Sequence, residues 1–421
     1  MFICKCKWSP LIILFLVCIG STQAENTLTD DPNVLQDRIS QLRQQMEQDN
    51  KKYSEEINVL TEQVGLLKKS IESKQSSASA ENITNIHDTF PDLNPEISAF
   101  GDVFFHAGKN DEDKEQNQFY FRELELALVS PVYPYGHADF FIGIEKEDSD
   151  WHTHLEEGYF TFDTLPYDLR SRIGKFYSAF GKANQYHTHA MPWVDKPLMI
   201  RNFFCEEGMS KTGAEISWLI PNSWNSYMEL IFQAQNNGNE ASFAGDSSNN
   251  LMYVTHIKNF FDIDNNSSIE LSASFATGAN ATSGGEHRTN LEGLDITYEW
   301  RPVEQDSYKS ITSMIELMFS QKDQGSEKTV NSHGLYNSLE YQFSRRWSIF
   351  GRYDYSQFPD YRSSHENGYS AGMTFRLSEY CFWRLQYEHT ESNGDFTGRE
   401  NRDEIFLQLN FGIGPHHSHH H

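Results

Sequence analysis

The sequence predicts an all-β fold: a transmembrane antiparallel β-barrel of about 16 strands with a helical segment in front of it. Three observations point there. Apolar residues alternate with polar ones through residues 95–413, the connections between the alternating segments are short and long in turn, and the chain carries an aromatic load at odds with its polarity.

The alternation falls into sixteen segments, 96–106, 118–129, 137–146, 155–164, 168–178, 211–220, 225–235, 251–260, 267–277, 289–300, 309–320, 334–344, 347–357, 368–377, 380–390 and 403–412. Side chains of a strand point to opposite faces in turn, so period two marks a sheet with unlike faces. In 225–235, Met228, Leu230, Phe232 and Ala234 share one face, and Tyr227, Glu229, Ile231 and Gln233 the other. In 289–300 the faces are Leu294, Ile296, Tyr298 and Trp300 against Gly293, Asp295, Thr297 and Glu299.

The short connections are 130–136, 165–167, 221–224, 261–266, 345–346 and 378–379, with 301–308 somewhat longer. Between them come the polar stretches 107–117, 147–154, 179–210, 236–250, 278–288, 321–333, 358–367 and 391–402. Short periplasmic turns alternating with long external loops are the plan of an outer-membrane barrel, and an even strand count returns both barrel ends to the periplasm. A soluble barrel or sandwich has no need of that alternation.

Mean hydropathy is −0.63, yet the chain holds 30 Phe, 20 Tyr and 8 Trp. A barrel accommodates both by giving apolar residues to lipid and polar ones to a wet lumen. The net charge of −26 argues against a nucleic-acid partner, which needs a basic surface, and favours cations near the protein.

Residues 1–24 read as a secretory signal peptide, with Lys5 and Lys7, the apolar run Leu11–Ile19 and cleavage after Ala24; lipidation at Cys18 is the alternative. No run of about 18 apolar residues follows it. In 25–67, Leu35, Ile39, Leu42, Met46, Tyr53, Ile57, Leu60, Val64 and Leu67 recur at three and four residues, with polar Asn50 in the seam. This reads as a periplasmic coiled coil or as one amphipathic helix packed on its own barrel; the coiled coil implies a homo-oligomer, a trimer first. Residues 68–94 read as a linker, and 414–421 as a His-rich tail that either chelates metal or is a cloning remnant. Cys205 and Cys381 are the cysteines left after the signal peptide, and their pairing is open.

A closed sheet of this size leaves an aqueous channel. No nucleophile stands in a recognisable catalytic setting, so no enzyme is expected, and residues 25–95 are too few for the plug of an energised receptor. The third external loop, 179–210, holds Tyr186, Met191, Trp193, Leu198, Met199, Ile200, Phe203 and Phe204. Such a load is hidden by folding into the lumen and narrowing it.

The same loop carries His187-Thr188-His189, then Asp195 and Glu206-Glu207, while His152 and His154 repeat the unit in the second external loop beside Glu156 and Glu157. Imidazole with carboxylate suits Zn²⁺ and other borderline divalent cations, held transiently rather than as a resident cofactor. The bland alternative is wetted histidines bonded to the wall. Arg170, Arg172 and Lys175 of the fifth strand, with Glu123, Glu125 and Glu145 of the second and third, are the charges expected at the constriction, because charge in a transmembrane strand is cheap only on the lumen side.

The stretch from Asp168-Leu169-Arg170 to Glu206-Glu207-Gly208 resembles a family of porin-like outer-membrane proteins of Gram-negative bacteria, through Gly174-Lys175-Phe176, Phe180-Gly181, His187-x-His189 and Asp195-Lys196-Pro197. The layout as a whole resembles the phosphate-selective (O and P type) porin superfamily, which implies a trimeric barrel of sixteen strands; zinc-regulated relatives imply metal passage. Cys205 stands where that pattern has a small residue such as Gly. A basic anion ladder is not evident, so phosphate selectivity is not implied. The expectation is a porin in the outer membrane, in contact with its lipid, passing small hydrophilic solutes and favouring divalent metal ions such as zinc. The alternative is a non-transport barrel that binds a partner or captures metal.

Overall fold

The computed structural model of the protein describes residues 95–415, apart from 109–115, 134, 148–149, 225, 239–240, 245–249, 283–286, 303–307, 326–327 and 394–400. The signal peptide, coiled coil, linker and His-rich tail read from the sequence lie outside the described residues, save Gly414 and Pro415 of the tail.

The chain forms β1 (Glu96–Gly108), β2 (Gln118–Tyr133), β3 (Gly136–Glu147), β4 (Asp150–Phe162), β5 (Leu169–Tyr177), β6 (Ser210–Leu219), β7 (Tyr227–Asn236) and β8 (Leu251–Asp264). It continues through β9 (Ser267–Ala279), β10 (Arg288–Trp300), β11 (Ser310–Asp323), β12 (Thr329–Gln342), β13 (Trp347–Phe358), β14 (Tyr361–Ser378), β15 (Cys381–Asn393) and β16 (Arg402–Ile413). Each strand pairs with its chain neighbours, and β1 closes antiparallel on β16 with Ala99 opposite Ile413. The sheet thus has no open edge, as a span through lipid requires. Sixteen is even, so Glu96 and Ile413 end at the same rim as the short turns.

All sixteen expected segments are strands, but several run further. β4 starts at Asp150, so Trp151–His154 is strand and not loop, and β14 starts at Tyr361 rather than near 368. The ladder continues above the lipid band, where outward side chains need not be apolar, and there the hydrophobic alternation that marks a strand fades.

Burial is the reverse of a soluble sheet. On β10, Leu294 and Ile296 are exposed, while Asp295 and Thr297 are buried in the lumen; on β13, Ile349 and Tyr353 face out, and Ser348, Arg352, Asp354 and Ser356 face in. Exposed aromatics gather towards both rims, Tyr135, Trp218, Trp224 and Tyr308 near the short turns and Phe119, Trp151 and Tyr361 near the long loops. Amphipathic rings favour headgroup level, which accounts for the aromatic content.

The loop between β5 and β6, loop 3 below, folds into the lumen. Its helix α1 (Leu198–Phe204) buries Leu198, Met199, Ile200, Phe203 and Phe204 almost completely. Met199, Ile200, Phe203 and Phe204, with Phe180 and Trp193, form an apolar core against Met252, Val254, Leu291, Met318, Tyr336 and Phe350 of the wall. Each such side chain contributes about 1.5–3 kcal/mol, which holds the loop inside. Gly334 of β12 makes room: a Cβ there would lie 2.6 Å from the Cβ of Met199.

A buried loop must also satisfy its backbone polar groups. The wall does so. Ala179 N–H donates to Gln233 (2.9 Å), Gly181 N–H to Ser274 (3.0 Å), Val194 N–H to Gln386 (3.0 Å) and Leu198 N–H to Asp354 (3.2 Å). Arg384 and Arg122 donate to the carbonyls of Trp193 (2.9 Å) and Val194 (2.8 Å).

Cys205 ends α1 with φ 77° and ψ 174°, a region that suits glycine alone. This is the position where the resembling pattern has a small residue. Cys205→Gly should stabilise the folded barrel by about 1 kcal/mol, read as a higher urea midpoint in detergent, with an unchanged or lower midpoint counting against backbone strain. No disulfide joins Cys205 to Cys381.

Candidate functional site

The site is built on a β-bulge in β4. The pairing of β3 with β4 steps from Phe141 opposite Glu157 to Ile142 opposite Leu155, leaving one extra residue in β4. Across such a step strict alternation fails. Glu156 and Glu157 are consecutive, yet both are buried on the lumen side. Glu123 and Glu125 reach the same place from β2, where Glu123 lies opposite Glu145 and Glu125 opposite Gly143. The missing side chain at Gly143 leaves space for the His154 ring, which would lie 2.6 Å from a Cβ there.

Loop 3 lowers two imidazoles onto these carboxylates. His187 places Nδ1 at 2.8 Å from Glu156 and 3.1 Å from Glu125, and Nε2 at 2.8 Å from Glu157. His189 Nδ1 lies 3.0 Å from the same Glu125 oxygen, with its ring stacked on Phe100 at 4.3 Å. The side chains of His187 and Glu157 have no exposure at all. A neutral imidazole has a single N–H, so carboxylates on both ring nitrogens call for a second positive hydrogen or a cation. Burial alone would push the His187 pKa down; Glu125, Glu156 and Glu157 outweigh it and hold it well above the usual imidazole value.

Towards the long-loop rim, His154 lies 3.4 Å from Glu145 and 3.8 Å from Glu156 and is about a third exposed. Among the described residues, two groups of side chains thus have ligand atoms within 4.8 Å of one another: Glu123, His154 and Glu156, and Glu125, Glu156 and His187. Glu156 belongs to both. Carboxylate and imidazole donors suit Zn²⁺ and similar divalent ions. The outer group is reachable from outside and the inner one is covered by loop 3.

His187 and His189 thus meet Glu125, as two expected sets brought together, and His154 joins through Glu145. His152 pairs opposite Glu145 with an exposed side chain. Asp195 is not brought to the imidazoles: its carboxylate lies 2.9 Å from Arg352, 3.4 Å from Arg201 and 2.7 Å from Gln386. Glu206 and Glu207 are exposed on the turn after α1, where the Glu207 carbonyl accepts a hydrogen bond from Lys196 at 3.0 Å. These three acids stand as a correction to the expected ligand set: neither metal-holding group among the described residues includes them, Asp195 being held by Arg352 before α1 and Glu206 and Glu207 standing on the exposed turn after it.

The charged constriction is also arranged differently. Arg170 and Arg172 share the lumen face as expected but pair within their own side of the barrel, Arg170 with Glu229 (3.6 Å) and Arg172 with Glu215 (2.7 Å). Lys175 sits an odd number of positions away, so alternation turns it to the opposite face, where its ammonium meets the Leu155 carbonyl. Below loop 3, towards the short turns, a cavity of about 420 Å³ opens between the loop and strands β5–β10.

Sequence reasoning missed Glu156 and Glu157 as partners of His187, since a bulge leaves no mark in an alternation pattern. It also missed the anchor Arg352, which has no exposed side-chain surface and lies 2.6 Å from Asp354 and 3.8 Å from Glu388. The spacing of Arg352, Asp354 and Ser356 along one face of β13 was the available signal.

No family model matches the chain. It is 28% identical over 356 residues to an uncharacterized protein of Aquifex aeolicus, covering 75% of this chain and 72% of that one. Among solved structures, an anion-selective porin from Comamonas acidovorans superposes with a TM-score of 0.53 at 10% identity, over 76% of this chain and 99% of that chain. The outer-membrane channel DcaP of Acinetobacter baumannii gives 0.50 at 11%, over 76% and 96%. OprB of Pseudomonas putida gives 0.50 at 11%, over 76% and 94%. At such identities the likeness is one of fold: a porin-like barrel of the outer membrane.

Proposed function

We propose that this barrel is a porin that passes small hydrophilic solutes and favours divalent cations, zinc first, on the way in. The observation that carries the reading is His187 with carboxylates at both ring nitrogens, next to a second, more open group sharing Glu156. Weak positions in series let an ion enter and leave, and the chain's net charge of −26 draws cations towards the mouth. The layout also supports placing the chain near the O and P type porins and their zinc-regulated relatives, as a homotrimer whose helices over residues 25–67 associate through the seam at Asn50. No catalytic role is proposed.

The apolar core that loop 3 builds inside the lumen favours a second reading, a filled barrel that captures metal or binds a partner without conducting.

Planar-bilayer recording of the refolded mature chain separates the two. A porin gives discrete open-current steps in KCl, a reversal potential under a salt gradient that favours cations, and current that ZnCl₂ reduces. Anion preference, or current indifferent to Zn²⁺, removes the cation claim, and absence of current from a folded barrel moves the reading to metal capture or partner binding.

A further inference from the structure

The cavity below loop 3 lies outside both metal-holding groups, and its charges are balanced in number but unevenly paired. Arg170, Arg172, Lys182 and Lys258 line it with Glu215, Glu229, Glu270 and Asp295. Two of these cations close into tight pairs, Arg172 with Glu215 at 2.7 Å and Lys182 with Glu270 at 2.9 Å. The other two share one acid: Arg170 lies 3.6 Å and Lys258 3.8 Å from Glu229, which already accepts the Tyr227 hydroxyl at 2.6 Å. That end carries surplus positive charge, and the Arg170 side chain is half exposed. At the other end Asp295 is 4% exposed, and neither of its carboxylate oxygens makes a well-formed hydrogen bond among the described residues, although the Ser272 hydroxyl lies beside it. A buried carboxylate left in that state costs free energy that a ligand ammonium group would recover.

Register gives the backbone separation of the Lys258 and Asp295 positions. Lys258 lies opposite Ser272, and Ser272 opposite Asp295. Two strand spacings separate them, about 10 Å along the wall. A chain of three residues spans about 10 Å when extended.

The geometry points to a binding site for a short zwitterionic peptide, of two to three residues, with its ammonium group on Asp295 and its carboxylate at the end where Lys258 and Arg170 meet Glu229. A lone α-amino acid is too short to reach both. The site needs no metal and is independent of the His–Glu groups.

Equilibrium dialysis of radiolabelled triglycine against the folded protein in detergent tests this without requiring conduction. Saturable binding is expected, weakened about tenfold or more by Asp295→Asn and by Arg170→Gln, since each removes one charge-assisted contact. Triglycinamide, which lacks the carboxylate, should be insensitive to Arg170→Gln, and N-acetyl-triglycine to Asp295→Asn. Glycine should bind more weakly than triglycine. Absence of saturable triglycine binding to wild type, or equal binding by wild type and variants, overturns the proposal. Circular dichroism checks the fold, and if Asp295→Asn fails to fold, Arg170→Gln, at a half-exposed side chain, carries the test alone.

Discussion

An Arg352→Met barrel should conduct more than wild type and unfold at lower urea. Arg352 ties loop 3 to the wall: it donates to the Asp195 carbonyl at 2.8 Å and to its carboxylate at 2.9 Å, while its Nε meets Asp354 at 2.6 Å. Its guanidinium also sits over the Trp193 ring, 5.1 Å from the centroid. Methionine fills similar volume but leaves Asp354 buried without its ion-pair partner, and Asp195 and Glu388 with Arg201 alone. Removing one partner of a buried ion pair costs about 3–5 kcal/mol. The wall strands are held by their own ladders, so the loss falls first on the loop, which swings out and widens the path. Arg352→Lys should fall between the two, because an ammonium cannot reproduce the planar fork that bridges Asp195 and Asp354. Single-channel conductance and urea titration are the readouts. Wild-type conductance with wild-type stability in Arg352→Met would rule out this anchor.

The second large effect concerns Glu156. Since it belongs to both metal-holding groups, Glu156→Gln should abolish Zn²⁺ modulation of the current while leaving open current in KCl. Loss of even an outer-shell partner costs roughly 10–100-fold in metal affinity, and a directly facing carboxylate should cost no less. Glutamine keeps the shape and one acceptor, so His187 and with it loop 3 keep their place through Glu125 and Glu157. Calorimetric titration with ZnCl₂ gives the affinity directly. Glu206→Gln, on the exposed turn, serves as the control and should leave both readouts unchanged. Full Zn²⁺ affinity in Glu156→Gln would show that the two His–Glu groups are ion pairs alone.

The barrel was legible because lipid imposes a rule on every strand: apolar out, polar in, in steps of two. Met228, Leu230 and Phe232 obey it, as do Glu229 and Gln233 on the other face, where Ile231 is the exception. Loop 3 was legible for a related reason, as Trp193, Phe203 and Phe204 have no place in water. The partners inside the lumen were harder to read. Whether Asp195 turns to His189 or to Arg352 depends on where α1 docks, and that is set by shape, by Gly334 leaving space for Met199, rather than by spacing along the chain. Glu156 and Glu157 depend on a single extra residue in β4. Phe243, from the loop after β7, completes the apolar core without exposure, and its Ser242 neighbour donates to the Phe203 carbonyl at 2.8 Å; nothing in that polar loop announces it.

The anchors of loop 3 also order its assembly in time. Asp195 and Arg352 are 157 positions apart in the chain, and Val194 and Gln386 are 192 apart. Contacts of such separation are slow to form, because the intervening chain must first be organised. Two of the strands that receive the loop, β13 and β15, lie near the C-terminal end of the wall, and β15 stands beside β16, whose pairing with β1 closes it. Docking of the loop is therefore expected to come late, after most of the wall has formed around a still open centre.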